Sequence, residues 1–159
     1  MGKLEEAIQL RSEGELDKSN ELLADLIADF PDDALVNYQY AWSFDVLGLE
    51  ANAVPYYEKA IQLGLNKRDE LGAFIGLGST YRTLGEYNKS KTTFEKGIKH
   101  FPENNALKIF YSMTLYNVGE HSKAMETLLT CLSQTTNDSE ILSYKKAIEF
   151  YADKLDQTW

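Results

Sequence analysis

The chain has 159 residues, a formal net charge of −9, 43% hydrophobic and 26% charged residues, three prolines and a single cysteine, Cys131. That balance suits one soluble folded domain with a sizeable core, and it leaves no room for a disulfide framework or a cysteine-based metal site. The acidic surface repels nucleic acid, and no apolar run approaches membrane-spanning length. The first ten residues, MGKLEEAIQL, are charged and amphipathic and unlike a signal peptide, so a reducing cytoplasm is the expected location.

In chain order, four glycines mark the spacing of the predicted elements. Gly14, Gly48, Gly85 and Gly119 stand 34, 37 and 34 residues apart. Each is followed at five residues by a small side chain (Ser19, Ala53, Ser90, Ala124) and at nine by a large one (Leu23, Tyr57, Phe94, Leu128). A fixed period of this length is the mark of a stacked array of helix pairs. Residues 1–33 form the most degenerate unit and hold ten acidic against three basic side chains. In residues 34–70, Val36, Tyr40, Phe44 and Leu47 recur at helical spacing up to Gly48, and Ala53, Tyr57, Ala60 and Ile61 form a second stripe. Residues 71–104 and 105–137 repeat the plan, Pro31 and Pro102 close the first and third units, and residues 138–157 read as one further helix.

These residues resemble the tetratricopeptide repeat. The third unit carries the pattern most fully, with Leu77, Gly78, Tyr81, Gly85, Tyr87, Ser90, Phe94, Gly97 and Pro102. The fourth gives Tyr111, Ser112, Leu115, Gly119, Ala124, Leu128 and Cys131, the second Tyr40, Ala41, Phe44, Gly48, Ala53, Tyr57 and Ala60, and the first Ala7, Leu10, Gly14, Ser19, Leu23, Leu26 and Pro31. The resemblance implies an all-α fold, a right-handed superhelical stack of about four helix-turn-helix units with a C-terminal capping helix. It also implies that Tyr57, Phe94 and Leu128 fill the gaps between successive units. The layout is further similar to short repeat proteins of Gram-positive bacteria.

In this family the first helix of each unit lines a concave groove. Carried onto this sequence, the groove positions include Tyr38, Trp42 and Asp45 in the second unit, Gly72, Ile75, Ser79 and Arg82 in the third, and Ile109, Met113 and Tyr116 in the fourth. The capping helix adds Tyr144, Ile148 and Tyr151. Aromatic residues and methionine are enriched at recognition surfaces. The C-terminal-carboxylate clamp of chaperone-binding members is absent, because Leu4, Ile8, Tyr38 and Trp42 occupy its places and only Arg11 and Arg82 remain as cationic anchors.

Nothing in the sequence assembles a catalytic or metal site. Gly72, Gly76 and Gly78 lack the spacing and the Lys-Ser/Thr of a phosphate loop. His100 and His121 lie apart without further ligands, Cys131 falls on a small inward position, and Glu5-Glu6 and Asp32-Asp33 make no acid/base pair. The expectation is a non-enzymatic scaffold, without cofactor, that binds a partner protein or peptide in its groove. The alternatives are a homodimer formed through the same surface and the regulatory subunit of an enzyme.

Overall fold

Four turns with one hydrogen-bonding pattern set the helix spacing in the computed structural model, which describes residues 2–159. At Gly14, Gly48, Gly85 and Gly119 the backbone takes φ of +84°, +72°, +76° and +82°, a region that a Cβ disfavours. Each glycine N–H bonds the carbonyl three residues back, and the next N–H reaches five back, as in Glu15 to Leu10 (2.9 Å) and Glu120 to Leu115 (2.9 Å). This is the Schellman closure, which satisfies the last carbonyls of one helix before the next begins.

The helices so joined are α1 (Lys3–Ser12) and α2 (Leu16–Asp29), α3 (Ala34–Val46) and α4 (Glu50–Leu63), α5 (Lys67–Thr83) and α6 (Tyr87–His100), and α7 (Asn105–Asn117) and α8 (His121–Thr135). The first helices of the last three pairs are capped by side chains: Asp33 accepts from the Val36 N–H, Asn66 from those of Arg68 and Asp69, and Asn104 from that of Leu107, whereas α1 starts from Gly2 without one. Second helices start directly from the glycine turn and need no such cap. No strand occurs among the described residues, and the all-α repeat architecture is the one expected.

The chain divides into two compact units, Met1–Glu86 and Tyr87–Trp159. In the first, α2 packs on α3 and α4 on α5, and α3 touches α1 and α5 as well. That position explains why α3 is apolar nearly all round: its Val36, Tyr38, Tyr40, Ala41 and Phe44 are all buried. Tyr57 of α4 is 2% exposed, and α5 admits it because Gly76 lies against its ring; a Cβ there would stand 2.5 Å from Cζ. Gly72, one turn earlier, leaves the same kind of room for the Tyr38 hydroxyl. Gly72 and Gly76 are therefore helix-packing residues. In the second unit α6 packs on α7 and α7 on α8. Phe94 is fully buried, with the Tyr111 ring 6.4 Å away, and the Ser90 and Thr114 hydroxyls meet at 2.8 Å.

The C-terminal segment departs from a single helix over 138–157. Asp138 caps it 34 residues after Asn104, in step with the repeat, but the helix breaks at Tyr144 into α9 (Ser139–Ser143) and α10 (Lys145–Tyr151). Only α10 packs substantially on α8, where the Ser133 hydroxyl donates to Glu149 at 3.2 Å. Leu128, expected to be enclosed like Tyr57 and Phe94, is 37% exposed for this reason.

Candidate functional site

The first unit holds a cleft of about 680 Å³ on the side formed by first helices. Its apolar wall is Ile8 of α1 with Leu35, Tyr38, Trp42 and Val46 of α3, and Arg11, Gln39, Arg68 and Asp69 supply the polar groups. Trp42 faces outward from α3 and is 42% exposed, with the Tyr38 ring 5.9 Å away. Arg11 is held in two ways. Its guanidinium donates to the Gln39 carbonyl (3.2 Å) and side-chain oxygen (2.5 Å), and its Cζ lies 4.1 Å from the centroid of the Trp42 ring. Burial lowers the Arg11 pKa, with Tyr38 and Tyr57 opposing, yet an arginine stays charged under such a shift. The result is a pre-oriented cation stacked on an accessible indole, an arrangement suited to a ligand with an apolar and an anionic part.

Of the expected groove residues, Tyr38 and Trp42 come together here. Tyr38 is itself buried, at 7% exposure, so it forms the floor and not an open contact. Asp45 is occupied within the fold: the Tyr57 hydroxyl donates to one oxygen (2.6 Å) and the Thr80 hydroxyl to the other (2.9 Å). Burial raises its pKa, and the two hydroxyl donors work in the opposite direction. The repeat register places Asp45 on the groove side, but the register does not reveal that Tyr57 and Thr80 reach it first. Ile75, Ser79 and Arg82 of α5 are half-buried, and the Ser79 hydroxyl finds no hydrogen-bond partner among the described residues.

The remaining expected residues belong to the second unit. Ile109, Met113 and Tyr116 share one face of α7 at 37%, 39% and 65% exposure, and the Tyr116 ring rests 4.9 Å from that of His121. Tyr144 is 67% exposed, Ile148 half-buried. Tyr151 instead joins an aromatic cluster with Phe150 (5.1 Å) and Trp159 (5.9 Å), over which Lys154 lies 4.7 Å from the Phe150 centroid. The sequence reading missed this cluster and the parts played by Gln39 and Arg68. The residue types at 150–151 and 159 were its only signal, since they fall outside the repeat.

No group of three or more His, Cys, Asp or Glu is placed to hold a metal ion among the described residues, and no helix there is long and apolar enough to cross a membrane.

An array of helix pairs closed by glycine turns, with an accessible cleft on its first helices, defines a helical-repeat protein. The tetratricopeptide repeat family model matches residues 34–155, and the chain belongs to that family. The matched region excludes the degenerate first unit, where α1 and α2 nonetheless close through the same turn. Among curated proteins, Superkiller protein 3 of Saccharomyces cerevisiae is 24% identical over 106 residues, which cover 62% of this chain and only 7% of that protein. Among solved structures, the fold is similar to MamA (18% identity, TM-score 0.74, 93% of this chain and 88% of that one). It is also similar to YrrB, described as a tetratricopeptide repeat protein with an unusual peptide-binding site (16% identity, TM-score 0.66, 98% and 91%). The family and its helical-repeat fold are typically non-catalytic, and its domains generally bind proteins or peptides.

Proposed function

We propose that the chain is a non-enzymatic interaction module whose first-unit cleft binds an extended segment of a partner protein, an aromatic or aliphatic side chain beside an acidic residue. One observation carries the reading: Arg11 is fixed by Gln39 against one face of the partly exposed Trp42 ring, at the edge of a cleft of about 680 Å³. The indole and Leu35 would take the apolar side chain. Arg11 and Arg68 would take the carboxylate, while Asp69 is engaged by the Asn66 amide at 2.5 Å. The peptide-binding site named for YrrB supports the class of partner and not its identity. The single buried Cys131 fits a reducing compartment such as the cytoplasm.

The test uses Trp42 as reporter. A Trp159→Phe background leaves it the only tryptophan, and its fluorescence is followed on titration with short peptides that pair Phe or Leu with Glu, with Lys, or with Gln. Saturable change with the Glu peptides, weakened at least tenfold by Arg68→Glu, is the expected result. Equal response to all three peptide classes, or none to millimolar concentration, overturns the reading.

A further inference from the structure

One buried tyrosine of the first unit keeps its hydroxyl unpaired, at the floor of the cleft around Trp42. The hydroxyls of Tyr57, Tyr81 and Tyr111 each donate to a carboxylate, that of Asp45, Glu58 or Glu95. Tyr40 donates to nothing, but its ring packs on Phe44 and Tyr56, outside the cleft. Tyr38 is buried among the rings of Trp42 and Tyr57, and no hydrogen bond engages its hydroxyl among the described residues. A buried polar group without a partner is costly, so one that lines a cleft marks a bond left for a ligand to complete.

The surroundings of this hydroxyl suit an anion. It lies against Gly72 of α5, where a Cβ would stand 2.2 Å from its oxygen, so only a glycine leaves it room there. The charged residues lining the cleft are Arg11, Arg68 and Asp69, and all three act electrostatically on Tyr38. Burial and the Asp69 carboxylate raise the Tyr38 pKa against the two arginines, so at neutral pH the hydroxyl is an O–H donor. Arg11 uses two of its five N–H groups on Gln39 and keeps the rest, and the Arg68 side chain has no hydrogen bond or ion pair among the described residues. We propose that Tyr38 is the specificity-determining residue of the cleft: its hydroxyl, together with Arg11 and Arg68, holds a single carboxylate of the bound segment. This rests on the cleft reading above and adds the group that is recognised. Two arginines against one aspartate leave one positive charge in excess, which a carboxylate neutralises. A phosphate dianion would leave surplus negative charge beside Asp69.

Tyr38→Phe removes only the hydroxyl. The full chain and this variant are compared by isothermal titration calorimetry with the Glu and Gln peptides, and by urea unfolding. The expected result is a Glu-peptide affinity about tenfold weaker in the variant, the worth of a hydrogen bond to a charged acceptor. Gln-peptide affinity should not change, and the unfolding midpoint should stay at or above the parent's. A phosphoserine peptide should bind the parent less tightly than the Glu peptide. Glu-peptide affinity left intact by Tyr38→Phe overturns the proposal while the cleft reading stands, and so does tighter binding of the phosphoserine peptide. Equal weakening of both peptides also overturns it, because the hydroxyl would then only shape the floor. A lowered midpoint does the same, since it would mean that the hydroxyl has a partner within the fold. A parent that binds neither peptide overturns the cleft reading and this proposal together.

Discussion

Tyr57 and Leu128 hold the same place in their repeats, nine residues after a turn glycine, yet one is 2% and the other 37% exposed. The residue type does not decide this. The following helix does: α5 offers Gly76 to the Tyr57 ring, whereas the segment after α8 breaks at Tyr144 and leaves Leu128 only partly covered. In a repeat array the burial of a side chain is a property of its neighbour as much as of its own helix.

The sharpest way to break this comparison is to delete both side chains. Tyr57→Ala should lower unfolding stability by about 3–5 kcal/mol, since a buried ring is lost and a cavity remains. Leu128→Ala should cost under about 1 kcal/mol, as surface substitutions do. Urea unfolding of both variants gives the two values. Similar losses would mean that Leu128 is enclosed in solution.

Much of this was legible in the sequence, because a repeat writes the same packing rule several times. The glycine period located all four turns, the small residues at Ser19, Ala53, Ser90 and Ala124 marked the buried crossings, and all four are buried. What stayed hidden depends on contacts between residues far apart in the chain. Asp45 has the register of a groove residue, and only the arrival of Tyr57 and Thr80 removes it from the surface. The break at Tyr144 had no glycine or proline to announce it. Gly76 lies inside α5, and the ring it accommodates comes from the preceding helix pair, a contact that local sequence does not announce.

A second test fills the space on which the Tyr57 side of the comparison rests. Gly76→Leu should destabilise by about 1–3 kcal/mol through overpacking, because the ring it meets is buried and its hydroxyl is tied to Asp45. Combining Gly76→Ala with Tyr57→Leu should be less harmful than the two changes summed, since the shorter side chain vacates the space the new methyl needs. A double-mutant cycle by urea unfolding measures that coupling, and strict additivity would remove the Gly76–Tyr57 contact as the cause. Turn positions are where the two units should behave alike. Gly48→Ala and Gly119→Ala each place a Cβ at positive φ with nothing within 4 Å, so backbone strain alone acts. Each should cost about 1–2 kcal/mol, and a large difference between their melting shifts would show that the turns are not equivalent.

The smallest effect separates the polar latches of the two units. Thr80 and Thr114 stand five residues before their turn glycines, but Thr80 donates to the Asp45 carboxylate while Thr114 pairs with the Ser90 hydroxyl. Only the first latch titrates. Burial raises the Asp45 pKa above its ordinary 3.8, against the pull of the Tyr57 and Thr80 donors. Between 3.8 and the raised value the folded chain holds the proton more tightly than the unfolded chain, so stability falls as pH rises through that window. The cost is absent below the window and complete above it. Asp45→Asn removes the charge; its amide oxygen still accepts from Thr80, and the Tyr57 hydroxyl turns to accept from the amide nitrogen. The variant should match the parent at acid pH and exceed it slightly at neutral pH, by less than about 1 kcal/mol. Thr114→Val, which breaks the uncharged latch, should instead lose a similar amount at every pH. Thermal midpoints of parent and both variants between acid and neutral pH give the comparison. If Asp45→Asn were the less stable at neutral pH, the charged hydrogen bonds would outweigh desolvation, and the buried carboxylate would be a stabilising element of the first unit.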